Sequence, residues 1–118
     1  MEWTFRNDLP IYSQLVEQLT LAIVSGVFAP GERLSSVRDM AAEAGVNPNT
    51  LQRALQELER QGLVYSQRTS GRFVTEDTRT IENCRLALAQ GQVRAFCEAM
   101  EKLGYTRAEL PALLQKEA

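Results

Sequence analysis

The sequence lacks residue types on which many enzymes and metal-binding proteins depend. It contains no histidine and only two cysteines, Cys84 and Cys97, so His-based catalytic arrangements, the usual metal clusters and a disulfide framework are all excluded. The cysteines are 13 positions apart, about 220° around a helix, and cannot bind one metal from a single face. We therefore expect no metal, no cofactor and no enzymatic activity, and we expect both cysteines to pack in a core.

Long apolar runs are also absent. No stretch approaches the ~20 residues that a membrane-spanning helix requires, and the first residues alternate polar and apolar side chains, unlike a signal peptide. The 118 residues, of which 44% are hydrophobic, suffice for a modest globular core. These features favour a cytoplasmic globular protein with no membrane contact.

Net positive charge is missing as well, since the formal charge is −2. The charge is unevenly distributed, however, and residues 47–74 are locally positive by two. This stretch contains four arginines and two glutamates, namely Arg53, Arg60, Arg68, Arg72, Glu57 and Glu59. Arginine carries a planar guanidinium that suits phosphates and guanine edges. The distribution therefore allows a basic stripe on an acidic protein.

Helical periodicity begins after Pro10. Apolar residues recur at helical spacing over residues 11–24, with Pro10 near the first helical position and Gly26 just beyond the end. Residues 29–32 form a turn signal with Pro-Gly at its corners, and residues 33–34 can hold only a very short strand. The aromatic residues Trp3 and Phe5 precede the first helix, and we expect them to staple it to the core or to a partner.

Two short helices follow in close succession. Ser36 with Asp39 three positions later predicts the start of one helix, which Gly45 ends. Asn47 as N-cap and Pro48 as first residue predict the start of the next. Its buried face is expected to consist of Leu51, Ala54, Leu55 and Leu58. Such spacing is typical of a helix-turn-helix.

A hairpin is predicted directly behind these helices. Residues 63–66 and 72–74 are strand-like, and residues 67–71 between them contain a turn glycine. A hairpin in this position is the wing of a winged helix-turn-helix, which lies beside the DNA backbone or enters the adjoining groove. We therefore assign residues 1–76 to a winged helix-turn-helix DNA-binding domain.

The remainder of the chain, residues 77–118, is predicted to be helical. One long helix is expected to end at Gly104, with Gly91 as its weak point, and Thr106 with Glu109 predicts a capping box for a final helix. Its apolar residues follow a 3-4-3-4 spacing, and those that we expect to form a homodimer are Leu86, Val93, Phe96, Met100 and Leu103. The expected fold is mainly α with a small β-hairpin, followed by this two-helix dimerisation segment.

The motifs of the first 64 residues resemble those of one regulator family. The chain reads PIYSQL over 10–15, GVFAPGERL over 26–34, SVRDMA over 36–41 and VNPNTL over 46–51. These segments, with the RAL and LE of 53–59 and the GLV of 62–64, are similar to the GntR family of bacterial transcription regulators. The short helical tail resembles the YtrA-type subfamily. The chain departs from the family pattern at Ser35, where proline is usual, and at Thr69, where the wing usually has glycine.

The resemblance and the helical periodicity together select candidate DNA-binding residues. On the third helix, the predicted core face turns Asn49, Thr50, Gln52 and Arg53 outward, where amides could bond base edges. The family pattern implies a DNA contact for Arg38, whose alternative is a surface ion pair with Asp39 or Glu43. The complete candidate set is Ser36, Arg38, Asn47, Asn49, Thr50, Gln52, Arg53, Arg68, Thr69, Ser70, Gly71 and Arg72.

We therefore expect a sequence-specific regulator of the repressor type that binds double-stranded DNA, at a pseudo-palindromic operator, as a homodimer. The alternative is a winged helix that mediates protein–protein contacts and does not bind DNA, which the acidic net charge allows. A small-molecule effector is compatible with such a regulator, although no residue identifies one.

Overall fold

A computed structural model describes all 118 residues and contains five α-helices and one hairpin. In chain order the elements are α1 (Ile11–Val24), α2 (Val37–Ala44), α3 (Pro48–Arg60), β1 (Val64–Gln67), β2 (Gly71–Val74), α4 (Thr78–Lys102), a 3-10 turn (Arg107–Glu109) and α5 (Leu110–Lys116). The predicted class, mainly α with a small hairpin, is confirmed. None of the helices is both long enough and apolar enough to cross a membrane.

The chain divides into two compact units, Met1–Cys84 and Arg85–Ala118. In the first unit, α3 packs against both α1 and α2. Its core is apolar and closely filled, and the fully buried large side chains are Leu15, Leu19, Ile23, Leu51, Leu55, Leu58, Leu63 and Val74. Ile81 also belongs to this core, and Cys84 packs against it. The packing unit therefore extends past the boundary expected after residue 76, because the first turns of α4 complete the core.

The two helix starts of the helix-turn-helix are capped as predicted. Ser36 Oγ accepts a hydrogen bond from the backbone N–H of Asp39 at 3.1 Å, and Asn47 Oδ1 accepts one from that of Asn49 at 2.7 Å. Between them, Gly45 ends α2 in the left-handed conformation, with φ of 69°. The two caps and the left-handed glycine between them determine where α2 ends and where α3 begins.

The hairpin pairs Val64 with Val74 and Gln67 with Gly71. The first strand therefore lies one residue later than predicted, and the second begins one residue earlier and ends where predicted. Gly71 has φ of 106° and therefore takes part in the pairing in a conformation that other residues adopt rarely. On its other side, β2 meets the segment around Arg33, which forms a single bridge with Phe73. The short strand predicted at 33–34 is thus one bridge long, and it anchors the wing to the segment before α2.

The residues before α1 are held against the first unit. Trp3 and Phe5 pack on the core with their rings stacked at 6.1 Å, which confirms the predicted staple. The side chain of Gln14 is buried, accepts from the backbone N–H of Arg6 at 2.7 Å, and donates to the carbonyl of Leu9 at 2.9 Å. This one amide provides hydrogen-bond partners for backbone groups of the segment before α1, and it fixes the path of that segment onto the helix.

The helix α4 begins in the first unit and continues in the second through Gly91 without interruption, as the prediction of one long helix requires. The carboxylate of Glu109 accepts a hydrogen bond from the backbone N–H of Thr106 at 2.9 Å, so the predicted capping box is present. Pro111 lies in the first turn of α5, which begins as a 3-10 turn. Cys97 is buried and Cys84 is half-buried, and burial raises the pKa of the Cys84 thiol.

Replacing Gly45 with alanine should lower the free energy of unfolding by about 1–2 kcal/mol, because a side chain disfavours the left-handed conformation. No atom lies near the position of the added Cβ, so the cost is conformational and not steric. Gly45→Asn should cost less, since asparagine tolerates this conformation. Urea denaturation of the three proteins measures both values, and equal losses for alanine and asparagine would contradict the conformational explanation.

Candidate nucleic-acid interface

The segment before α2 and the wing enclose a shared cleft on the first unit. The cleft has a volume of about 410 Å³ and brings together residues distant in the sequence. It is lined by Arg33, Leu34, Ser35, Ser36 and Val37 on one side, and by Ser66, Gln67, Arg68, Thr69, Gly71 and Arg72 on the other. The predicted cap of α2 therefore lies beside four of the five predicted wing residues.

The predicted recognition face of α3 is accessible. Asn49, Arg53 and Gln56 are exposed, and Thr50 and Gln52 are half-buried. The guanidinium of Arg53 lies over the ring of Tyr12, 4.8 Å from its centroid, which places this arginine on the α1 side of the helix. The face presents amide, hydroxyl and guanidinium groups, which are the groups that read base edges in the major groove.

Arg72, a member of the predicted DNA-binding set, is held by residues of α3. Its Nε donates to Glu59 Oε1 at 2.7 Å, its Nη1 donates to Gln52 Oε1 at 3.1 Å, and its side chain is only 16% exposed. The hydroxyl of Ser66 donates to the same Glu59 oxygen. We call these four residues, Gln52, Glu59, Ser66 and Arg72, the wing–helix network. Arg72 is thus engaged in contacts within the protein, while its assignment to the DNA-binding set stays a prediction.

This network could not be read from charge along the chain. The wing sequence contains no acidic residue, and Arg72 therefore looked unpaired. The partner comes instead from α3, 13 positions earlier, and reaches Arg72 only because the hairpin folds back beside the helix. The signal available in the sequence is that Glu59 and Gln52 lie seven positions apart, two turns along the same side of α3.

The acidic groups of α3 are neutralised within the protein. Burial opposes ionisation of Glu59, but the hydrogen bonds from Ser66 and Arg72 and the charge of Arg72 outweigh it and lower its pKa. The hydrogen bonds that Arg60 and Gln61 donate to Glu57 likewise lower the pKa of Glu57. Both carboxylates are therefore ionised and paired with a cation at neutral pH.

Three exposed arginines remain around the cleft and α2. Arg38 is exposed and forms no ion pair with Asp39 or Glu43, so the alternative considered for it is not observed. Arg68 is exposed at the wing turn beside Thr69 and Ser70. Arg33, which was not among the predicted residues, lines the cleft and is also exposed.

Arg33 and Gly71 are in close proximity. A Cβ built on Gly71 would lie 3.3 Å from the Arg33 Nε, so a side chain at this position would crowd the guanidinium. Glycine at position 71 therefore allows both the positive φ and the approach of Arg33 to the wing. The sequence signal for Arg33 was the alternation with buried Leu34, which turns the arginine outward.

Comparisons with known proteins give a consistent result. The sequence model described as "Bacterial regulatory proteins, gntR family" matches residues 11–74. The chain is 36% identical over 110 residues to the uncharacterized HTH-type transcriptional regulator YhcF of Bacillus subtilis, covering 93% of this chain and 91% of that protein. It is 33% identical over 98 residues to the HTH-type transcriptional repressor YtrA of B. subtilis, covering 83% and 71%.

Solved structures show the same relationship. A GntR family transcriptional regulator from Listeria monocytogenes superposes with a TM-score of 0.88 at 38% identity, covering 95% of this chain and 98% of that one. The DNA-binding domain of AraR, crystallised in complex with the operator ORX1, superposes with a TM-score of 0.58 at 29% identity, covering 64% and 96%. The second of these structures contains bound DNA.

Replacing Arg72 with methionine should raise the pKa of Glu59, because two of the three groups of interactions that favour its ionised form come from Arg72. Glu57 serves as the internal control, since its partners are Arg60 and Gln61 and its pKa should not change. A carboxyl ¹³C NMR titration measures both groups. An unchanged Glu59 pKa in the variant would show that the Arg72–Glu59 ion pair is not formed in solution.

Proposed function

We propose that this chain, which belongs to the GntR family of bacterial regulatory proteins and to its YtrA-type subfamily, is a repressor that binds a pseudo-palindromic operator as a homodimer. The family membership rests on the match over residues 11–74 and on the relatives similar to nearly the full chain. The chain is accordingly a transcriptional regulator with a DNA-binding domain, and the expectation that it is not an enzyme is confirmed. Its proposed site of action is the bacterial chromosome, in the cytoplasm.

The observation that carries the DNA-binding proposal is the position of the unpaired arginines. Arg33, Arg38 and Arg68 are exposed on the unit that also presents the outer face of α3, while the nearby glutamates Glu57 and Glu59 are paired internally. We assign the three arginines to phosphate contacts, which position a protein on the duplex. The outer face of α3 is then placed in the major groove and the wing at its edge.

Support for operator binding comes from the likeness to AraR, whose DNA-binding domain was crystallised with operator DNA. The proposal that the chain represses follows the likeness to YtrA, which is a repressor. The alternative of a winged helix that has lost DNA binding is not favoured, because the relatives are transcriptional regulators and because Arg33, Arg38 and Arg68 are exposed without an ion-pair partner. Thr69 and Ser70, exposed at the wing turn, would lie closest to the DNA backbone.

The homodimer proposal rests on the second unit. Four of the five predicted dimerisation residues are exposed large hydrophobic side chains, with exposed fractions of 57% for Leu86, 59% for Val93, 37% for Phe96 and 70% for Leu103. Met100 is half-buried on the same stripe. At ~25 cal/mol per Å² of apolar area, covering this stripe would contribute several kcal/mol.

A second copy of the chain is the partner that fits this stripe. The 3-4 spacing along α4 is that of helices which pack alongside one another, and two-fold dimers are the commonest symmetric assembly. Two linked recognition helices would also read two half-sites and bind more tightly than one through effective concentration. The dimer thus accounts for both the exposed stripe and the pseudo-palindromic operator.

Arg38→Ala should weaken binding about tenfold to a duplex that the intact protein enriches from a random-sequence library. Losing one phosphate contact should also reduce the slope of log K against log salt by about one. Arg60→Ala is the control, because Arg60 lies at the C-terminal end of α3 and pairs with Glu57. Mobility shifts at several salt concentrations give both quantities, and equal behaviour of the two variants would contradict the assignment of Arg38.

Val93→Glu should convert the protein from dimer to monomer at micromolar concentration, because it places a charge in the middle of the proposed interface. Ala87→Glu is the matched control, since Ala87 is also exposed on α4 but lies outside the apolar stripe. Sedimentation equilibrium gives the masses, and the monomeric variant should bind the enriched duplex at least tenfold more weakly. A wild-type chain that sediments as a monomer would contradict the homodimer.

A further inference from the structure

The wing–helix network determines which end of the Gln52 side chain faces outward. Gln52 Oε1 accepts the hydrogen bond from Arg72 Nη1 at 3.1 Å. A guanidinium has only donors, so the amide must turn its oxygen towards it. The Gln52 nitrogen is bonded to no protein group. The orientation of this amide is therefore dictated by the chemistry of Arg72.

Arg72 itself has little freedom to move away. Its Nε is bonded to Glu59, its side chain is 16% exposed, and Ser66 holds the same carboxylate from the first strand of the hairpin. Glu59 lies two turns beyond Gln52 on the same side of α3. The guanidinium is thus fixed between two residues of the helix, and it acts on Gln52 as a rigid donor.

Gln52 is placed where a base could meet it. It lies one turn from the start of α3, and helical periodicity puts it on the face that it shares with exposed Asn49 and Gln56. A glutamine with a freely turning amide pairs with adenine through both its oxygen and its nitrogen. With the oxygen directed to Arg72, the outward group is the amide nitrogen, which only donates.

We propose that Arg72 is a positioning residue that makes Gln52 a reader of hydrogen-bond acceptors, so that Gln52 selects guanine over adenine at one position of each operator half-site. Guanine presents two acceptors, N7 and O6, in the major groove, whereas adenine presents one acceptor and one donor. The inference rests on the proposed function, since it requires that α3 enters the major groove. In this arrangement the wing influences base selection through Arg72, although the wing itself contacts no base.

The test measures base preference and not affinity alone. The duplex enriched by the intact protein from a random-sequence library is varied one base pair at a time, and Kd values are measured by fluorescence anisotropy. For the wild-type chain, one position per half-site should favour guanine over adenine about tenfold. Gln52→Glu should move the preference at that position to cytosine, because a carboxylate accepts from the cytosine amino group. Gln61→Glu, which adds the same charge at the exposed C-cap of α3 and outside the proposed recognition face, should leave that position unchanged.

Arg72→Met tests the positioning role directly. It frees the Gln52 amide to turn, so the preference for guanine over adenine should fall to within about threefold at the same position and remain unchanged elsewhere. Thermal unfolding establishes whether this variant is folded. If it is not, the base preference of the wild-type chain together with Gln52→Glu decides the matter, since a freely turning Gln52 amide would favour adenine at that position and such a preference would overturn the proposal.

Two further results would overturn the proposal. A uniform loss of affinity for all base variants in Arg72→Met, with a salt slope reduced by about one, would make Arg72 a phosphate contact. An unchanged base preference in Gln52→Glu would show that Gln52 reads no base. Failure of the proposed function would look different from both, since the wild-type chain would then enrich no sequence from the library.

Discussion

The ion pair between Arg72 and Glu59 is the interaction on which the geometry of the candidate interface depends. The hairpin contains only two short strands, and such a ribbon is not stable by itself in water. Its orientation is fixed by the bridge between Arg33 and Phe73 on one side and by Arg72 reaching α3 on the other. Because the second link ends on the helix proposed to read DNA, the wing and that helix form one surface with a defined spacing.

The same interaction explains how an acidic chain can present a basic face. The formal net charge is −2, yet the glutamates of α3 are paired within the protein and their pKa values are lowered. Arg33, Arg38 and Arg68, by contrast, are exposed and form no ion pair. For nucleic-acid binding, the location of unpaired charge matters more than its sum over the chain.

Local signals made most of the fold predictable from the sequence. The caps Ser36 and Asn47 and the glycines at positions 45 and 71 each act within a few residues, and these features were predicted correctly. The residues that sequence reasoning misjudged depend on contacts across the fold. The partner of Arg72 lies on another element and cannot be seen along the chain. Arg33 was overlooked because its alternation with buried Leu34 spans only two residues. Ile81 extends the first unit because it completes a core built from earlier helices. Composition and spacing do not encode such tertiary contacts.

We propose that one continuous surface, formed by the segment that leads into α2, the outer face of α3 and the wing, binds duplex DNA. An NMR titration of the ¹⁵N-labelled intact protein with its enriched duplex tests this claim most directly. We expect the largest amide shift changes at residues 33–38, 47–53 and 68–72, and we expect a duplex of scrambled sequence to cause smaller changes at 47–53. Shift changes confined to residues outside these three segments, or none at all, would contradict it.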